Sequence, residues 1–114
     1  MDLRTRTAAI CETLPGAVWG DEHSGELPAW KIGGKLFACF YSRTPGLAVK
    51  CADTETARML IETGTADKAP YCHASWVRLP ETATEDELRH RIRTSYDLIR
   101  AKLPAAIRRG LEGS

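Results

Sequence analysis

Apolar residues recur at helical spacing in three segments of the chain. The first segment, residues 2–14, starts with Asp2 as a candidate N-cap and ends where Pro15 follows. The second segment follows Asp53, another residue type that caps helices. The third, residues 83–103, is the strongest, because acidic residues occupy its first turn. Its apolar residues, at steps of three and four, are Leu88, Ile92, Tyr96, Ile99 and Leu103. Three helices are therefore predicted.

Strand-like runs lie between the first two predicted helices. Residues 29–41, "AWKIGGKLFACFY", carry two apolar runs on either side of Gly33–Gly34. Such a glycine pair can adopt the positive φ values that a tight hairpin turn needs. A second turn, "SRTPG", leads into residues 47–51, "LAVKC". We therefore expect three antiparallel strands here, preceded by a short strand near Val18–Trp19.

The end of the chain adds a late strand and completes the expected order of elements. Residues 76–79, "WVRL", are typical of a strand, and Pro80 after them favours a position at a sheet edge. A polar loop is expected before Pro70. The order is then helix, about three strands, helix, one or two strands, long helix. It predicts an α+β fold with two layers, in which helices pack on one face of an antiparallel sheet. Residues 1–114 are expected to form a single domain.

Four short landmarks occur in the same order as these elements. They are "LPGA" at 14–17, "KIGGKLFA" at 31–38, "APY" with "WV" within 69–77, and "SYDLI" at 95–99. Together they resemble the MmcQ/YjbR-like family from Leu3 to Leu111. The resemblance implies a compact fold of the secretion-chaperone-like type. Members are commonly labelled DNA-binding, with a proposal that hairpin "wings" grip the duplex, and the family offers no established catalytic residues to carry over. This chain departs from the family at residues 72–75, "CHAS".

The charge balance restricts the classes of function. The 114 residues include 16 Lys and Arg and 15 Asp and Glu, for a formal net charge of +1. Such a chain is neither strongly basic nor strongly acidic, so binding to a charged partner must depend on local clusters of charge. The apolar runs are too short to span a membrane, and the first residues lack the apolar core of a secretory signal. We expect a cytoplasmic protein whose four cysteines are free, reduced and substantially buried.

The pair Cys72–His73 raises the question of a thiol nucleophile and its base. Adjacent residues in an extended segment point to opposite sides, so the two side chains are poorly placed to act together. Ser75 lacks the surrounding glycines of a nucleophile elbow. The cysteines and histidines also lack the spacing of a zinc site. We therefore predict a non-enzymatic protein with no catalytic residues, no metal and no cofactor.

Two groups of basic residues are candidates for binding DNA, the expected partner. The first group lies around the predicted hairpins and contains Lys31, Lys35, Arg43 and Lys50. The second lies on the long helix, where Arg89, Arg93 and Arg100 fall within about 40° of one another and could follow phosphates. An exposed, solvated helix is the alternative, because acid-before-base pairs at i,i+4 support such helices. These pairs are Glu85–Arg89, Asp86–His90 and Glu87–Arg91.

The predicted sheet offers a second candidate surface. With a two-residue glycine turn, Ile32 opposes Lys35 and Trp30 opposes Phe37. Side-chain alternation along the two strands then places six residues on one face of the sheet: Trp30, Ile32, Lys35, Phe37, Cys39 and Tyr41. Trp76 and Arg78 share a face of the late strand by the same alternation. This aromatic face is either the core or a surface that holds a peptide, a small hydrophobic ligand or a second copy of the chain as a homodimer.

Overall fold

The computed structural model describes residues 1–20, 28–41 and 44–112. The described residues form four helices and six strands. The helices are α1 (Leu3–Cys11), α2 (Thr54–Glu62), α3 (Glu85–Ala101) and α4 (Ala105–Glu112). The strands are β1 (Val18–Gly20), β2 (Ala29–Ile32), β3 (Lys35–Phe40), β4 (Leu47–Lys50), β5 (Asp67–Lys68) and β6 (Trp76–Leu79).

The strands form one antiparallel sheet in the order β1-β2-β3-β4-β6-β5. The α3 helix packs across β3 and β4, and α1 lies beside α3. The α2 helix packs against β6 and β5 at the edge of the sheet. This arrangement confirms the predicted α+β fold with helices layered on an antiparallel sheet. Among the described helices, none combines the length and apolar character needed to cross a lipid bilayer.

The strand order confirms one expectation and corrects another. The short strand expected near Val18–Trp19 is present as β1, so four strands precede α2. The late strand β6 does not lie at an edge, because β5 pairs with it on its outer side. The β5 strand contains only Asp67 and Lys68, and both are exposed. Two polar residues carry no apolar alternation, which is why the sequence predicted a loop there.

Side-chain caps fix the start of each of the three predicted helices. The carboxylate of Asp2 accepts a hydrogen bond of 2.8 Å from the backbone N–H of Thr5. Asp53 accepts one of 2.7 Å from Thr56. These bonds lower the pKa of both carboxyl groups. At α3 the hydroxyl of Thr84 accepts a hydrogen bond of 3.2 Å from the backbone N–H of Glu87. Both aspartates that the sequence marked as caps are confirmed in that role.

The hairpin between β2 and β3 has the predicted turn but not the predicted register. Gly33 and Gly34 have φ values of 55° and 82°, as a two-residue turn requires. Ile32 opposes Lys35, as expected, but the register then shifts by one residue. Trp30 consequently pairs with Ala38 and not with Phe37. The extra residue in β3 is a β-bulge, and it breaks the simple alternation of side chains.

The bulge allows nearly consecutive residues of β3 to enter the core. Phe37, Ala38 and Phe40 are all buried in one apolar cluster with α3. The ring of Phe37 meets that of Tyr96 edge-on, with centroids 5.4 Å apart. The hydroxyl of Tyr96 donates to the carbonyl of Pro15 at 2.5 Å. The core therefore joins α3, the centre of the sheet and the loop after α1.

Candidate nucleic-acid interface

A groove at one end of the sheet brings together two lysines from distant parts of the chain. Lys35 starts β3 directly after the hairpin turn, and Lys102 is the C-cap of α3. The cavity has a volume of about 430 Å³. We call it the lysine groove, and its lining residues are Gly34, Lys35, Leu36, Ile99, Lys102, Leu103 and Pro104. Two ammonium groups beside apolar walls suit an anionic ligand that also has apolar parts.

Close packing between the hairpin and the helices holds the lysine groove in shape. A Cβ atom added to Gly33 would lie 2.7 Å from a methyl carbon of Leu103 and 3.3 Å from one of Ile107. The turn is therefore in direct contact with the end of α3 and with α4. Lys35 and Lys102 are exposed, and neither forms an ion pair with another described residue. Their charges are available to a ligand.

Lys50, at the end of β4, supplies a third amine. Its Nζ donates a hydrogen bond of 2.9 Å to the hydroxyl of Ser75, which also lies 2.9 Å from Nδ1 of His73. Burial lowers the pKa of Lys50, and the positive charge of Lys102 lowers it further. Lys50 is half-buried and is not among the residues that line the lysine groove.

A second groove lies between α2 and the segment that leads into β6. Its volume is about 370 Å³. We call it the tryptophan groove, and its lining residues are Thr54, Arg58, Ile61, Glu62, Lys68, Ala69, Cys72, His73, Ala74 and Trp76. Trp76 is half-buried, whereas Arg58 and Lys68 are exposed and form no ion pair within the described ranges. An indole face beside two cations is a combination found where proteins stack bases next to phosphates.

Strand pairing places Lys50 beside the tryptophan groove. Lys50 on β4 is the direct cross-strand partner of Trp76 on β6. Directly opposed side chains project from the same face of a sheet. Lys50 therefore lies next to Trp76, which lines the tryptophan groove.

The predicted arginine stripe on α3 is largely neutralised by acids of the same helix. Arg89 lies 3.2 Å from a carboxylate oxygen of Glu85, and Arg93 lies 3.6 Å from one of Asp97. The structure also forms the predicted pair Glu87–Arg91, at 2.9 Å. Arg100 is half-buried and interacts with Tyr96, on its own helix. These contacts are those of a solvated helix that supports itself.

The cations predicted around the hairpins do not lie together. Lys35 lies at the tip beside the glycine turn and lines the lysine groove. Lys31 is half-buried within β2, two residues before Gly33 of the turn. Lys50 is at the far end of β4, opposite Trp76. Arg43 lies outside the described residues. Among the described members of this group, Lys35 lines one of the two grooves.

The aromatic face expected on the sheet is not an accessible surface at two of its positions. Trp30 is 7% exposed and Phe37 is fully buried, and both belong to the apolar core cluster. Tyr41 is half-buried, and its hydroxyl donates to the carbonyl of Pro70 at 2.9 Å. Arg78 is half-buried and lies 3.5 Å from the carboxylate of its cross-strand neighbour on β5. Trp30 and Phe37 therefore cannot hold a partner, and this part of the prediction is wrong.

The Cys72–His73 pair is not arranged as a nucleophile and a base. The ring nitrogen Nδ1 of His73 accepts a hydrogen bond of 3.1 Å from the backbone N–H of Ser75 and contacts its hydroxyl. The thiol of Cys72 is exposed and lies 3.6 Å from the hydroxyl of Tyr41. His73 is thus directed at Ser75, whose side chain is 4% exposed and inaccessible to a substrate.

The four cysteines are free thiols, as expected. Cys11 and Cys51 are buried, and Cys39 is half-buried. Burial raises the pKa of Cys11 to about 12. Cys72 departs from the expectation of burial, because it is exposed on the wall of the tryptophan groove.

Three basic residues that line the two grooves were missed by the sequence interpretation: Arg58, Lys68 and Lys102. Lys102 follows the last turn of α3, where only the fold brings it to the hairpin tip. Arg58 and Lys68 lie on different elements that meet at the edge of the sheet. One weak signal was present, since Lys102 has no acidic residue four positions before it to form a helical pair. Arg58 shares this feature, because Thr54 lies four positions before it, whereas Lys68 lies outside the predicted helices.

Comparisons with known proteins agree with the architecture. The solved structure of Deinococcus radiodurans protein DR2400, which has a DUF419 domain, superimposes with a TM-score of 0.81 at 19% sequence identity. The superposition covers 98% of this chain and 89% of that chain, which shows a shared fold. No curated protein matches the sequence. The family model described as YjbR matches residues 12–98, more than half of the chain, and the protein therefore belongs to the YjbR family.

Proposed function

We propose that the protein is a non-enzymatic, cytoplasmic nucleic-acid-binding protein that contacts phosphates through the lysine groove. One observation carries this proposal. Lys35 from the hairpin tip and Lys102 from the end of α3 line the same groove, and neither is neutralised by a described carboxylate. DNA is the partner that the family label favours.

The convergence of these lysines matters because the chain as a whole is almost neutral. With a formal net charge of +1, attraction over the whole surface is weak. Two amines in one groove supply a local positive potential that phosphates can neutralise while releasing counterions. The salt-bridged Arg89 and Arg93 are not part of the proposed contact surface, because a phosphate would have to compete with Glu85 and Asp97.

The alternative of a hydrophobic partner surface has less support. It depended on Trp30 and Phe37, which are buried in the core of the same chain. Tyr41 and Trp76 are half-buried and do not form a broad apolar patch by themselves. A non-catalytic role is supported by the inaccessible hydroxyl of Ser75, the polar group to which both Lys50 and His73 are directed.

A binding titration with neutralised lysines tests the proposal. Fluorescein-labelled DNA is titrated with the protein at low ionic strength, and anisotropy reports binding. We expect Lys35→Gln and Lys102→Gln to weaken binding several-fold each. Arg89→Gln is the matched control, because it removes one positive charge that already has a carboxylate partner. Equal losses in all three variants, or no binding by the unchanged protein, would reject the proposed site.

A further inference from the structure

We propose that the nucleic acid bound by this protein is single-stranded, with one unpaired base stacked on Trp76 in the tryptophan groove. This inference rests on the proposed function and adds the class of nucleic acid. The observation behind it is that Trp76, the cross-strand partner of Lys50, lines a groove together with the exposed cations Arg58 and Lys68. A strand whose phosphates contact these cations therefore reaches an indole ring.

The tryptophan groove has the dimensions and chemistry for a single base. Its volume of about 370 Å³ accommodates one nucleobase and part of its sugar. Trp76 is half-buried, so one part of the ring is held by the protein while another part remains accessible. Stacking on such a ring requires a base with a free face, which a duplex does not offer without disruption.

Charges at the rim of the tryptophan groove are complementary to the phosphate of a nucleotide. Arg58 on α2 and Lys68 on β5 line the groove from two sides, and both are exposed. His73 also lines it, with Nδ1 already engaged by Ser75. Glu62 is an opposing charge on the same rim. Two unpaired cations against one carboxylate favour a phosphate next to the stacked base.

Replacement of Glu62 tests the inference with a variant that should bind a single strand more tightly. Its carboxylate is exposed and lines the tryptophan groove together with Arg58, one helical turn away. Replacement by glutamine removes a charge that repels phosphate and keeps the size of the side chain. We expect Glu62→Gln to bind a single strand more tightly by roughly two- to five-fold. A general loss of folded protein cannot produce such a gain.

The test compares a single strand of about 12 nucleotides with the duplex of the same sequence, both at low ionic strength. The unchanged protein should bind the single strand more tightly. Trp76→Leu should lose roughly ten-fold in affinity for the single strand and little for the duplex. Trp76→Tyr, which keeps a stacking ring, should retain most of the affinity. The fluorescence of the unchanged protein, which has three tryptophans, should be quenched by the single strand and much less so in Trp76→Leu.

The outcomes separate this inference from the proposed function. Equal or tighter binding of the duplex by the unchanged protein overturns the single-strand inference and leaves nucleic-acid binding in place. A single-strand preference that persists in Trp76→Leu also overturns it. Absence of binding to both nucleic acids at low ionic strength overturns the proposed function, and the inference with it.

Discussion

The hydroxyl of Ser95 on α3 lies between two backbone groups of neighbouring strands, the carbonyl of Phe37 and the N–H of Lys50. Ser95 Oγ donates to the Phe37 carbonyl at 2.6 Å and accepts from the Lys50 N–H at 2.9 Å. The pairing of β3 with β4 ends at Ala38 opposite Val49, next to Phe37 and Lys50. Ser95 therefore links the backbones of β3 and β4 beside the bulge and holds the backbone of Lys50 in place.

Removal of this hydroxyl should destabilise the fold. Ser95→Ala leaves the buried carbonyl of Phe37 and the N–H of Lys50 without their partner, and Ser95 itself is fully buried. We expect a loss of about 2 kcal/mol in the free energy of unfolding, measured by urea denaturation. Thr94→Ala is a suitable control on the same helix, with an expected change below about 0.5 kcal/mol. An unchanged midpoint for Ser95→Ala would contradict the role of the bridge.

The two glycines of the hairpin turn should differ in their tolerance of alanine. Both have positive φ, so a Cβ strains the backbone in either case. At Gly33 the added Cβ would also lie 2.7 Å from Leu103, whereas at Gly34 no atom lies within 4 Å. We expect Gly33→Ala to cost about 1 kcal/mol more than Gly34→Ala in thermal or urea unfolding. Equal losses would show that the hairpin tip does not pack on α3 as described.

The lowered pKa of Lys50 predicts a pH effect with a definite sign. Burial and the charge of Lys102 favour the neutral amine, so Lys50 loses its proton as pH rises before an ordinary lysine of pKa 10.5 does. NMR titration of the lysine side-chain carbons should show one signal that titrates earlier than the rest and that Lys50→Met removes. Lys102→Gln should move this titration to higher pH. If all lysine signals titrate together, the amine of Lys50 is neither buried nor close to Lys102.

This titration also bears on binding. Phosphate favours the charged amine, so the contribution of Lys50 to affinity should be complete below its lowered pKa and lost above it.

Local features of the sequence were enough to predict much of the fold. Asp2 and Asp53 cap helices as predicted, because capping depends on residues within one turn. The turn at Gly33–Gly34 was predictable for the same reason, since it requires positive φ at adjacent positions. The bulge at Phe37 was not, because it is stabilised by a serine 58 residues away in the sequence. This single inserted residue changed the grouping of aromatic side chains.

The site was less predictable than the fold because its members come from separate elements. Lys35 was identified from its place beside the turn, and it does line a groove. Lys102 was not, because its proximity to the hairpin depends on how α3 crosses the sheet. Arg89 and Arg93 matched a helical stripe, but the same helix carries the acids that pair with them. Helical periodicity shows which residues share a face and does not show which of them remain free to bind.

The salt dependence of DNA binding tests the phosphate contacts of the lysine groove most directly. The slope of log K against log salt concentration measures how many phosphates the protein neutralises. We expect the Lys35→Gln/Lys102→Gln double variant to reduce the magnitude of this slope by about 1.4 for a single strand, whereas Arg89→Gln leaves it nearly unchanged. A slope identical in the unchanged protein and the double variant would show that Lys35 and Lys102 do not contact phosphate.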